Sequence, residues 1–113
     1  DVYSCPDVHR KALYNYAVIF NRDAAHAEGN NTQAQSPSSH AEGANSIAIG
    51  TAAHAEGTST TNANYAHAEG QTSSATAVAA HAEGNFTVSD GYGSHAEGVY
   101  TQSLGEGSHA EGF

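Results

Sequence analysis

His40-Ala41-Glu42-Gly43-Ala44-Asn45-Ser46-Ile47-Ala48-Ile49-Gly50-Thr51-Ala52-Ala53 is followed at once by His54-Ala55-Glu56-Gly57. The return of the tetrapeptide decides the fold. It begins at His26, His40, His54, His67, His81, His95 and His109, at intervals of 14, 14, 13, 14, 14 and 14 residues. A fixed period of this kind marks a repeat architecture in which each unit is completed by its neighbours. With the His as position 1, position 7 reads Thr32, Ser46, Thr60, Ser73, Thr87 and Thr101. Position 9 reads Ala34, Ala48, Asn62, Ala75, Ser89 and Ser103, and position 14 is Ser or Ala. Each unit is thus two halves of the form (Ser/Thr)-x-Ala-x-Gly-x-x.

Within a half, a small residue at every second position reads as a short strand, and Gly with two polar residues as the turn after it. A helix fails because each Gly opposes it by about 1 kcal/mol and no apolar heptad exists. Disorder fails because a random polar tract does not repeat one tetrapeptide. The expected fold is all-β, a parallel β-roll (β-solenoid) with two short strands per 14-residue coil. Coils stacked about 4.8 Å apart place small columns inside and His and Glu outside. A roll this thin buries little apolar area, so it is expected to cover an outer face with copies of itself. The 13-residue unit 54–66 is expected to lose one turn residue and keep its strand register.

The charge divides the chain of 113 residues into two zones. Residues 1–23 hold Arg10, Lys11 and Arg22 against Asp1, Asp7 and Asp23. Residues 24–113 have no Lys or Arg and carry the whole net charge of −9. That balance opposes nucleic acid or an anionic membrane as partner. No apolar run reaches the length of a membrane span. The lack of an initiator Met or signal pattern reads as a processed chain, a fragment or a sequence without its leader. The domains are therefore 1–23, an N-terminal arm with a capping or bridging strand, and 24–113, a roll of six 13/14-residue repeats plus a partial seventh. Cys5 excludes an intrachain disulfide and is either a free thiol or an interchain one.

Asn45-Ser46-Ile47-Ala48-Ile49-Gly50 and Thr51-Ala52-Ala53-His54-Ala55-Glu56-Gly57 resemble the repeat of YadA-like heads of trimeric autotransporter adhesins. Ser94–Gly98 and Ser108–Gly112 are similar to the SHAEG repeats of bacteriophage tail and appendage fibre proteins. The resemblance covers residues 24–113 and implies a left-handed β-roll, homotrimeric, used as a stiff surface or fibre module. Only one unit carries the full apolar second strand; others read Gln33-Ala34-Gln35, Thr61-Asn62-Ala63 or Val88-Ser89-Asp90. Residues 1–23 lie outside it.

Three chemistries compete for the His-x-Glu column. The first is an interleaved network at a trimer interface, formed by His26, Glu28, His40, Glu42, His54, Glu56, His67, Glu69, His81, Glu83, His95, Glu97, His109 and Glu111. The second is metal binding, with those seven His as weak candidates; no metal and no cofactor is assigned. The third is catalysis, which a repeated column without asymmetry or a distinctive nucleophile does not favour, so no enzyme is expected. A Thr/Ser column raises ice binding, although such hydroxyls usually satisfy turn backbone. Tyr65, Phe86, Tyr92 and Tyr100 are placed on the rim. Cys5, Arg10, Lys11, Leu13, Tyr14, Tyr16, Val18 and Phe20 form a candidate inter-subunit arm for head-to-tail stacking on an open C-terminal edge. The reading is a structural fibre module (spacer, adhesive head or filament subunit), extracellular, on a cell surface or on a virion. Its partners are itself and a host-surface or matrix receptor.

Overall fold

The computed structural model describes residues 24–113 and the backbone of Val18–Ile19. Among the described residues there are twelve strands, long and short in turn except where β6 and β7 each run through both: β1 Val18–Ile19, β2 His26–Asn30, β3 Gln33–Ala34, β4 His40–Ala44, β5 Ile47–Ala48, β6 His54–Thr61, β7 His67–Ala75, β8 His81–Asn85, β9 Val88–Ser89, β10 His95–Val99, β11 Gln102–Ser103 and β12 His109–Gly112. No helix occurs among the described residues, and every pairing is parallel. The chain is a β-solenoid. Its first ladder runs β2-β4-β6-β7-β8-β10-β12 with His on His, Ala on Ala, Glu on Glu and Gly on Gly. Its second runs β1-β3-β5-β6-β7-β9-β11, with β6 and β7 long enough to enter both.

The roll is a slab with principal extents of 40 × 20 × 11 Å. Four columns fill it. Position 2 gives Ala27, Ala41, Ala55, Ala68, Ala82 and Ala96, all 0% exposed. The last position of each coil supplies Ser39, Ala53, Ala66, Ala80 and Ser94, also buried, and among the described residues nothing larger than Thr is fully buried. The walls touch: Ser89 Oγ lies 2.7 Å from Ser94 Oγ across the interior. Strand alternation explains the pattern, because a gap this narrow admits only every second, small side chain. Each buried Ala removes one methyl from water, on the order of 0.8 kcal/mol, so the backbone ladders carry much of the cohesion.

The position-7 hydroxyls also face inward and satisfy backbone at the first corner. Ser46 Oγ donates to Glu42 O and Gly57 O, and Ser73 Oγ to Glu69 O and Gly84 O. Thr32 and Thr101 likewise donate to the carbonyls of Glu28 and Glu97. The second corner is a β-turn over positions 11–14. In Ser36-Pro37-Ser38-Ser39 the Ser39 amide donates to Ser36 O at 3.1 Å, with Ser38 at φ 59°. Pro37 supplies the fixed φ that the second residue of such a turn wants.

The short unit needs a correction. Ser59 and Thr61, not Thr60 and Asn62, occupy the interior columns, and Thr61 pairs with Ala48 and Ala75. The dropped residue belongs to the first corner, where the ladder shifts register between Thr58 and Thr60. At that corner other coils place a left-handed residue (Asn31, Asn45, Thr72, Phe86, Tyr100), and the amides of Asn45, Phe86 and Tyr100 donate to a carbonyl one coil back. Thr72 finds no such carbonyl, and its amide donates instead to Thr58 Oγ1 at 2.9 Å.

Candidate functional site

With Ala inward at position 2, the flanking His and Glu must point out of the same strand face. All seven pairs do so. Each His Nε2 lies 2.5–3.2 Å from Oε1 of the Glu two residues on. Neighbouring imidazoles stack with centroids 4.5–4.9 Å apart, their planes within 8° except for the first pair at 43°. The coil spacing therefore sets the ring spacing, and rings of one type pack as a continuous wall.

Carboxylates repeated at the same spacing repel each other by about 1 kcal/mol in water and several times that at an effective dielectric near 20. The in-plane imidazole beside each Glu counters this. In the coils of His40, His54 and His67 the ring nitrogen and carboxylate hydrogen-bond at 2.7 Å. The side chains of His40 to His95 stay about one-third exposed, from 33% to 37%. This wall is mostly covered by its own chain and open on its outer side.

The residues of the column are identical, but their hydrogen-bond geometry is not. At His81 and His95 the Nε2 atoms are buried without a hydrogen-bond partner, although Glu83 and Glu97 lie 2.8 and 2.9 Å away. The carboxylates are close but off the N–H line. This pair also has the shortest ring separation in the column, 4.5 Å. Ligand atoms of His81, Glu83 and His95 gather within 4.8 Å of one another, as do those of His95, Glu97 and His109. Identical tetrapeptides in every coil hide this difference from a sequence reading.

The opposite face varies. Positions 8 and 10 carry Gln33 and Gln35, hydrogen-bonded to each other at 2.6 Å, then Ile47 and Ile49 one coil on. Further along, Thr76 Oγ1 donates to Asp90 Oδ1. The expected rim aromatics are exposed: Tyr65, Tyr92, Phe86 and Tyr100. Phe86 and Tyr100 stack at 5.1 Å, a pair made by two successive left-handed corner residues. Apart from Thr60, the position-7 Thr/Ser column lies inside the roll and presents no hydroxyl array to ice.

The structure thus brings the proposed interface residues, His26 through Glu111, onto one face. Of the proposed arm, only the backbone of Val18 is described, and β1 pairs with β3 of its own chain. Cys5, Arg10, Lys11, Leu13, Tyr14, Tyr16 and Phe20 lie outside the described residues. No family model, no curated protein and no solved structure matches this chain.

Proposed function

We propose that this chain is a structural module of an extracellular or viral fibre: a left-handed roll, assembled as a homotrimer, acting as spacer, adhesive head or filament subunit. The observation that carries the reading is the unbroken His/Glu wall, identical through seven coils and opposed by a face that varies from coil to coil. A uniform face suits a symmetric copy of itself; a variable face suits solvent or a receptor. The core adds a reason to associate, since its fully buried side chains stop at Thr and it gains little from apolar burial. Catalysis has no support in a column of equivalent pairs. Bridging of successive trimers by residues 1–23 is a further, separable part of the proposal.

Two substitutions test the face. His67→Asp adds a carboxylate to the His/Glu wall, whereas Ser74→Asp adds one to the opposite face. Sedimentation velocity is expected to show trimers for Ser74→Asp and single chains for His67→Asp, with matching far-ultraviolet circular dichroism. Trimers lost equally by both variants, or by neither, would overturn the assignment of the face.

A further inference from the structure

We infer that the wall holds one zinc-class divalent cation per chain at its C-terminal half, bound by His81, Glu83 and His95 or by the overlapping set His95, Glu97 and His109. Both sets hold their three ligand atoms within 4.8 Å. Two imidazole nitrogens and one carboxylate oxygen are a donor set that borderline ions such as Zn²⁺ favour, with water completing the coordination. The site is distinguished by more than composition. The buried Nε2 atoms of His81 and His95 meet their carboxylates at 2.8 and 2.9 Å without a well-aligned hydrogen bond, whereas His40, His54 and His67 hydrogen-bond theirs at 2.7 Å. A desolvated nitrogen held less well by its carboxylate loses less on turning to a metal. Residues 24–113 add no Lys or Arg to compete for the carboxylates or repel a cation.

The geometry also predicts what binding changes. Bond lengths of about 2.0–2.2 Å require ligand atoms roughly 3.3–3.5 Å apart in a tetrahedral site. The His81 and His95 planes are within 5° of parallel, so their lone pairs do not converge until the rings tilt. Loading therefore disturbs the stacking of His81 and His95, on each other and on their outer neighbours His67 and His109, and leaves the His40–His54 and His54–His67 stacks in place. Because His95 belongs to both sets, the two sites exclude each other, which limits tight binding to one ion. The three ligands come from one chain but lie on the wall that the proposed trimer would also use, so binding is read together with the solution mass.

The test is titration of the untagged protein with Zn²⁺ by calorimetry, repeated with Co²⁺ to read ligand geometry from its visible spectrum. One tight equivalent is expected, with affinity falling at least ten-fold in His95→Ala and less than two-fold in His40→Ala. Proton and nitrogen NMR of the imidazoles is expected to shift His81 and His95 first. Circular dichroism and solution mass, measured for each variant, separate a lost ligand from a lost fold or assembly. Equal loss in both variants would show chelation along the whole column and overturn the site. Absence of binding by the folded protein would overturn it as well.

Discussion

Gly84 stacks on Gly98 so closely that a Cβ on Gly84 would lie 2.1 Å from the Gly98 carbonyl oxygen, and Gly84 also holds φ 117°. Both demands exclude a side chain, since that region is essentially reserved for glycine. Gly84→Ala is expected to cost at least about 3 kcal/mol, from clash and strain together. Gly93, at φ 63° with open space around its missing Cβ, is the comparison. Gly93→Ala is expected to cost about 1 kcal/mol. Thermal melts of both variants read the difference; similar losses would mean that the close glycine stack is not a constraint.

The buried hydroxyls separate into satisfied and unsatisfied ones. Thr61 Oγ1 is buried without a partner, in a column whose other members are Ala34, Ala48, Ala75 and two serines, Ser89 and Ser103, that bond to Ser94 and Ser108. Thr61→Val keeps the shape and removes the unpaired group, so it is expected to stabilise by about 1 kcal/mol. Ser73→Ala removes a hydroxyl that serves two carbonyls and is expected to destabilise by about the same amount. Chemical denaturation of the pair is decisive, because the two changes are expected to have opposite signs.

Thr72 is a β-branched residue at φ 56°, at the corner where Asn31 and Asn45 stand in earlier coils. A β-branched side chain is a poor occupant of the left-handed region, whereas Asn tolerates it. Thr72→Asn retains the backbone bond to Thr58 Oγ1 and is expected to raise stability by about 1 kcal/mol. A lower melting temperature for Thr72→Asn would contradict this account of the corner.

The period and the alternation were legible because each is written seven times, and a column of Ala at position 2 has one physical use in a narrow roll. The frame of the short coil was not. Ser59, Thr60, Thr61 and Asn62 are all small or polar, so either of two registers satisfies the pattern. The choice depends on where the chain gives up its left-handed corner residue, a backbone property without a side-chain signature here. Phe86 and Tyr100 occupy that corner elsewhere, against their own preference, which hides it further. The unequal hydrogen bonding of His67 and His81 was illegible for another reason: their tetrapeptides are the same.

The molar mass of the wild-type protein in solution, measured by light scattering across a range of concentrations, tests the central claim most directly. A chain of 11.6 kDa whose His/Glu wall is a self-complementary face is expected at three times that mass. A mass of one chain throughout, with the solenoid intact by circular dichroism, would contradict it.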